Sequence, residues 1–247
     1  MSKILQSQFS HWAEREEQYS QVELLLKNDP TLAKLNDSAI EEMAKSAKVE
    51  AYKVPTLLNS AHTSVDTMRL VVAGHIELVS CSASGEEACI AILGPGSWLT
   101  WLGCFEDAPT NHDFYSSSDA VTIAIPVKKM RDIAQRYPQL YQIAIHEISF
   151  RFRLLMEWTT ESVLLKNEFR VAKLLSLVSR LNAPHGEHTP IVYTQDKLAH
   201  LSRCTRQTLS RSLQQLVKQG IITIGYRRIE IVDDEKLSAF ILEGMPD

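Results

Sequence analysis

The chain of 247 residues has only four cysteines, and Cys81, Cys89, Cys104 and Cys204 are scattered with no CxxC spacing, so they read as reduced thiols. No apolar run approaches the ~20 residues that a membrane span needs. Met1 to Ser20 lacks an apolar core and carries Glu14, Arg15, Glu16 and Glu17, so no secretion signal is expected there. These absences together predict a soluble, cytoplasmic protein without a membrane partner. Internal repeats and low-complexity stretches are missing too. A phosphate loop, a nucleophile elbow and a paired-carboxylate motif are equally lacking, so the chain is not expected to be an enzyme.

What is present is an ordinary globular composition, 45% hydrophobic and 23% charged, at a length that suits one large or two ordinary domains. The formal net charge of −4 hides an asymmetry. Thr194 to Arg228 contains seven basic residues (Lys197, Arg203, Arg206, Arg211, Lys218, Arg227 and Arg228) and one acid, Asp196, a net of +6. The remaining 19 basic and 29 acidic residues give −10 elsewhere. A local basic face on an acidic body suits a polyanion, although a solvated basic surface would have the same count.

The hydrophobic period changes twice along the chain. Residues up to about 48 read as helical: Gln21 to Lys27 has a short amphipathic pattern, Pro30 interrupts it, and Asp37 or Ser38 is placed to cap a helix over Ala39 to Ala47, with Glu41 or Glu42 for a capping box. From Val49 to Pro126, short alternating runs at Leu70–Val72, His75–Val79, Ala88–Leu93 and Ala120–Ile125 are separated by turns at Ala73-Gly74, Ser84-Gly85, Gly94-Pro95-Gly96 and Asp107-Ala108-Pro109. This predicts a small antiparallel barrel or jelly roll. Leu140 to Leu165 then runs without Gly or Pro, with Leu140, Ile143, Ile148, Phe152, Leu155 and Val163 at helical spacing. A helix of that length argues for a partner helix, most simply from a second copy, while packing within its own chain is the competing reading. A charge at Ile148 would then break the dimer.

Thr194 to Ile222 reads TQDKLAHLSRCTRQTLSRSLQQLVKQGII. A first helix from about Asp196 to Leu201 buries Leu198, Ala199 and Leu201, and Ser202-Arg203-Cys204 breaks it. Thr205 then caps a second helix that ends at Gly220. Leu209, Leu213, Leu216 and Val217 define its apolar face, and Arg206, Gln207, Ser210, Arg211 and Gln214 the opposite one. Two Arg, two Gln and a Ser are suited to reading base edges in a major groove. Ile221–Ile224 and Ile229–Val232 flank Gly225-Tyr226-Arg227-Arg228 as a hairpin with a basic tip. The pattern predicts a winged helix-turn-helix that binds double-stranded DNA through Thr205, Arg206, Gln207, Thr208, Ser210, Arg211, Gln214 and Arg227.

Five stretches carry a further signal: Val72-Ala73-Gly74-His75-Ile76-Glu77-Leu78, Ser84-Gly85-Glu86-Glu87, Leu93-Gly94-Pro95-Gly96-Ser97-Trp98, Gly103-Cys104-Phe105-Glu106 and Cys204-Thr205-Arg206-Gln207-Thr208-Leu209-Ser210-Arg211. In them the chain resembles the catabolite-activator and fumarate/nitrate-regulator superfamily of bacterial transcription factors. The resemblance implies an α+β protein: a cyclic-nucleotide-binding-type β-roll over residues 1–136, a dimerisation helix over 137–166 and a winged helix-turn-helix over 167–247. It further implies a homodimer on a palindromic operator and RNA polymerase as a partner, through the loop Asn182 to Pro190, whose residues give no physical reason of their own for that contact. In the family the recognition helix begins Arg-Glu with an Arg four residues after that Glu; here Arg206 and Arg211 are kept and Gln207 replaces the Glu.

The sensor departs from the family. The ribose-gripping Gly-Glu-Leu turn aligns with Thr100-Trp101-Leu102, the phosphate-gripping Arg-Ser pair with Asn111-His112, and the base-contacting Thr-Ser pair with Leu155-Met156. A cyclic phosphate would lack its charge-assisted partner. The pocket, made from Trp98, Thr100, Trp101, Asn111, His112, Leu155 and Met156, is expected either to take an apolar or aromatic effector or to be filled by Trp101 and Met156, and not to bind cyclic AMP. The first cysteine is Cys81, so the clustered N-terminal cysteines of the iron–sulfur members are missing. His112 near Cys104 and His75 near Cys81 raise haem or metal ligation, but their irregular spacing is that of structural or surface residues, and no metal or cofactor is expected. The rival readings are a haem-based gas or redox sensor of the same fold, and a ligand-binding module whose winged helix makes only protein contacts.

Overall fold

The computed structural model describes residues 15–82, 84–85, 87–106, 108–182, 190–225 and 228–245. The motif residue Glu86, the turn residue Asp107, the loop residues 183–189 and the wing residues Tyr226 and Arg227 lie outside the described residues. The chain divides into two compact units, residues 1–149 and 150–247.

Among the described residues the first unit opens with α1 (Arg15–Lys27), a 3-10 turn (Pro30–Leu32) and α2 (Asp37–Ser46). The α2 N-cap is Asn36, whose side chain accepts from the Ala39 amide at 2.9 Å, one or two residues earlier than the sequence suggested. No capping box forms: Glu41 pairs with Lys45, and Glu42 accepts from the Tyr137 hydroxyl. Asn won because its carbonyl reaches the third amide from an extended backbone, the geometry that a helix N-terminus leaves open.

Eight strands follow: β1 (Lys48–Ala51), β2 (Thr56–Asn59), β3 (Thr67–Ala73), β4 (Ile76–Cys81), β5 (Glu87–Leu93), β6 (Trp98–Leu99), β7 (Asp113–Ser116) and β8 (Val121–Pro126). They form two antiparallel sheets, ordered β1-β8-β3-β6 and β2-β7-β4-β5. Strand β8 is buried on both faces from Val121 to Ile125, which explains its nearly continuous apolar run. Ile123 and Ile125 meet Met68 and Leu70 of β3 in one core with Leu26, Ile40 and Met43 from α1 and α2. Gly74, at φ +66, must be glycine: a Cβ there would lie 2.6 Å from the Ala120 Cα. Short helices α3 (Trp101–Glu106) and α4 (Val127–Arg136) complete the roll.

Helix α5 (Gln139–Leu164) starts in the first unit and ends in the second. Its apolar residues do not share one fate. Leu140 and Ile143 are buried in the core of the roll, and Ile148 is half-buried against it, as the self-packing reading required. Ile145, Phe152, Leu155 and Val163 are 58–76% exposed. The second unit continues with α6 (Asn167–Asn182), α7 (Gln195–Leu201), α8 (Arg206–Lys218), the hairpin β9 (Ile222–Gly225) and β10 (Arg228–Ile231), and α9 (Asp234–Glu243). Ile191 adds an antiparallel bridge to Ile229 at the free side of β10. None of the described helices is long and apolar enough to cross a membrane.

Candidate nucleic-acid interface

The second unit holds a polar surface on a framework made from local caps. Thr194 Oγ1 accepts from the Lys197 amide at 3.3 Å and starts α7, which buries Leu198 and Ala199 and leaves Leu201 half-buried. Ser202 is fully buried; its hydroxyl donates to the Leu198 carbonyl at 2.7 Å. The chain then turns through Arg203 at φ +52, a left-handed conformation that is costly for a residue with a side chain. Thr205 Oγ1 accepts from the Thr208 amide at 3.1 Å, and the two threonine hydroxyls lie 2.9 Å apart, so both serve the cap of α8. Gly220 at φ +68 ends the helix, and the Ile221 amide returns to the Leu216 carbonyl at 3.0 Å.

Leu209, Leu213 and Leu216 are buried along α8, together with Ser212, whose hydroxyl donates to the Thr208 carbonyl. Val217 corrects the predicted apolar face: it is 41% exposed at the end of the helix, past the curve of the buried stripe. Arg206, Gln207, Arg211 and Gln214 are exposed and Ser210 half-buried. They line one open groove with Gln195 of α7, which sequence reasoning missed because its role depends on how α7 lies against α8. Arg211 also borders a second groove with Lys166, Asn167, Thr208 and Gln215. Asp196, the single acid of the basic segment, stands 3.6 Å from Arg206 Nε. Arg228, on the described part of the wing, is exposed and pairs with Glu230. The surface can donate hydrogen bonds from two guanidiniums and exchange them through three amides, with no carboxylate in the groove itself.

The predicted effector positions have a different character. Trp98 and Trp101 are 1% and 2% exposed, with ring centroids 5.6 Å apart; Trp98 Nε1 donates to Asp29 Oδ2 at 2.8 Å. Trp98 is therefore a core residue that ties the N-terminal segment to β6, which corrects its placement in a pocket. Trp101 stacks on Phe105, which meets Tyr141 of α5 at 5.1 Å, and Trp101 Nε1 has no hydrogen-bond partner among the described residues. Thr100 is half-buried at φ +71, its hydroxyl donating to the Leu99 carbonyl. Asn111 is exposed, and the His112 amide donates to Thr110 Oγ1 at 3.2 Å. Leu155 and Met156 of α5 are 58% and 49% exposed.

Burial pushes the Cys104 thiol up to about 11, against the opposing charge of Arg131, so it stays protonated at neutral pH. His75 Nε2 lies 3.1 Å from Glu77 Oε1. Among the described residues no three His, Cys, Asp or Glu side chains come together as a metal site.

Residues 169–240 match the Crp-like helix-turn-helix domain, and residues 51–137 match the cyclic nucleotide-binding domain. The chain is 23% identical over 190 residues to the cAMP-activated global transcriptional regulator CRP of Salmonella typhimurium, across 76% of this chain and 90% of that protein. Among solved structures it is similar to FixK2 from Bradyrhizobium japonicum, with a TM-score of 0.65 and 17% identity over 78% of this chain and 96% of that one. It is also similar to CLP of Xanthomonas campestris, described as a c-di-GMP responsive global regulator, with a TM-score of 0.58 and 16% identity over 80% and 100%. These structural likenesses speak for the fold. With both domain models matched in the order found here, roll first and helix-turn-helix second, the chain belongs to the CRP/FNR superfamily of transcription regulators.

Proposed function

We propose that the protein is a homodimeric, sequence-specific DNA-binding transcription regulator, with residues 1–136 as sensor, 137–166 as dimerisation helix and 167–247 as reading domain. The observation that carries this reading is the face of α8. Arg206, Gln207, Arg211 and Gln214 are held out to solvent by a helix whose other side is anchored by three buried leucines and whose start is fixed by Thr205. Bidentate Arg contacts favour guanine, and a Gln favours adenine N6 and N7. Thr205, Thr208 and Ser210 would position the helix against phosphate, and Arg227 would reach the backbone from the wing.

Tyr141, Ile145, Ile148, Phe152 and Leu155 recur at alternating steps of four and three along α5, the spacing of a two-helix seam, and Ile145, Phe152 and Leu155 are more than half exposed. Closing that seam on a second copy places two recognition helices about 34 Å apart, one DNA turn, on a palindrome. Selection of bound sequences from random DNA by the purified protein tests this reading: a two-fold symmetric site is expected, with affinity falling steeply as salt rises. Recovery of no enriched sequence would overturn it in favour of a module that uses the winged helix for protein contacts. A regulator of this family would also meet RNA polymerase.

The sensor is proposed not to take cyclic AMP. Relatives of this fold are described as responding to cyclic AMP or cyclic di-GMP, and both ligands present phosphodiester anions. The aligned positions here hold Thr100, Trp101, Asn111 and His112, with no fixed cation among them, and Trp101 is packed between Trp98 and Phe105. Titration calorimetry with cyclic AMP and cyclic GMP is expected to give no heat. Saturable micromolar binding together with tighter DNA binding would overturn the pocket assignment.

A further inference from the structure

We infer that Arg170 is a positioning residue for DNA reading, because its guanidinium latches the helix-turn-helix turn to the end of α5; the inference rests on the DNA-binding reading above. Arg170 lies in the first turn of α6, half-buried. Its Nε donates to the Ser202 carbonyl at 2.8 Å and Nη2 to the Arg203 carbonyl at 3.4 Å. Nη1 donates to the Ser162 and Leu165 carbonyls at 3.4 and 3.5 Å, and Nη2 also bonds Asn167 Oδ1.

These acceptors are not arbitrary. Ser162 is in the last turn of α5 and Leu165 is just beyond it, while Ser202 caps the C-terminus of α7. The final carbonyls of a helix have no partner inside it and carry the negative end of its dipole. One cation therefore closes two helix ends and joins them. The carbonyls of Ser202 and Arg203 frame the one left-handed residue of the turn, so the same contact holds the backbone at φ +52, two residues before the Thr205 cap of α8. The direction of α8, and hence where Arg206 and Arg211 point, follows from that turn. A guanidinium can serve several acceptors in one plane; an ammonium is a point donor.

The test uses the full-length protein. Arg170→Lys, which keeps the charge, and Arg170→Gln, which does not, are both expected to lower affinity for the selected operator by about tenfold. Amide hydrogen exchange over residues 202–205 should accelerate, and sedimentation should be unchanged. Asn167→Ala is a milder variant that keeps the guanidinium and should shift the same segment less. Adding Arg203→Gly to Arg170→Lys should recover part of the lost affinity, since glycine takes the left-handed conformation freely. Wild-type affinity in Arg170→Lys would overturn the latch. Lost affinity with unchanged exchange would overturn it too, and would assign Arg170 a direct phosphate contact. Failure of the wild-type protein to bind any DNA would instead remove the reading above, and the exchange measurement would still decide the latch.

Discussion

The two units place their polar chemistry on opposite sides of the solvent boundary. In the second unit Arg206, Gln207, Arg211 and Gln214 of α8 are exposed, and the residues that fix them are local: Ser202 and Leu209 are buried, and Thr205 caps the helix. In the roll, the positions where a ligand would be expected carry Trp98 and Trp101, both in the core, and a threonine that satisfies itself on the backbone. The first surface is open and hydrogen-bond rich; at the second, the two tryptophans are buried, Thr100 and His112 are half-buried and Asn111 is exposed. In the roll two tryptophans at those positions are spent on packing, while α8 carries two guanidiniums, Arg206 and Arg211, out to solvent.

The largest expected effect lies on the element that both units share. Phe152→Glu places a carboxylate on a residue that is 60% exposed within one chain and central to the proposed seam. Its desolvation without a partner costs several kcal/mol on association. Sedimentation is expected to give a monomer at micromolar concentration, with affinity for the palindrome lost and circular dichroism unchanged. Ile148 is a poorer probe, since it also packs on the core of the roll. A dimeric Phe152→Glu protein would remove the seam.

Next in size is a change that separates the two units. Trp101→Ala empties the space of a side chain that is 2% exposed, a loss of ~3–5 kcal/mol by analogy with large-to-small core substitutions. Its thermal midpoint should fall by several degrees, while the sequence selected by the protein stays the same. If the midpoint holds and the substituted protein gains affinity for an aromatic compound, Trp101 is a lid over a usable pocket and the contrast between the units weakens.

Arg211→Ala follows, with an expected cost of ~1–3 kcal/mol at one guanine of each half-site and none at the other positions. A uniform loss over all sequences would mean that Arg211 contacts phosphate only.

How much of this was legible in the sequence depended on how local the determinant was. The helix-turn-helix was readable because its caps and its stripe lie within thirty residues: Thr205 caps where a threonine precedes a polar-then-apolar period, and Gly220 takes the left-handed conformation that its position demands. The roll was readable as a class from its turns, but strands β1, β2 and β7, each of four residues, left no pattern long enough to see. Helix α9 also went unread. The division of α5 between a buried start and an exposed continuation could not be found by period alone, because the same spacing serves a core and a partner helix. Asn36 displaced the expected caps through a choice among three adjacent capping residues. Arg170 was invisible for a different reason: its acceptors, Ser162 and Ser202, are forty residues apart in the chain and are carbonyls, which no residue type reports.

Gln207→Glu is expected to change affinity little but to move preference at one base pair of the half-site toward cytosine, since a carboxylate accepts from cytosine N4 where the amide suits adenine. The measurement is a repeat of the sequence selection with the variant. An unchanged site would withdraw Gln207 from base reading and leave the guanidiniums to carry the specificity of α8.

The smallest expected effect concerns the staple between α5 and α6, on which the reading unit stands. Arg180 Nη1 meets Glu157 Oε2 at 2.6 Å, and Lys173 pairs with both Glu157 and Glu161, at 3.2 and 2.7 Å. The hydrogen bond from Arg180 holds the Glu157 carboxyl below its ordinary value of 4.5, with Lys173 adding to it and partial desolvation opposing. The folded state therefore favours the ionised form. Its contribution to stability is present above the unfolded value near 4.5 and is lost as pH falls through the lower folded value. Glu157 is partly exposed, so screening keeps the contribution small. Unfolding of the wild-type protein and of Glu157→Gln, followed by urea between pH 7 and pH 3, is expected to show a modest deficit in the variant at neutral pH that shrinks toward pH 3. A deficit that stays constant with pH would mean that packing of the side-chain stem, and not its charge, joins α5 to α6.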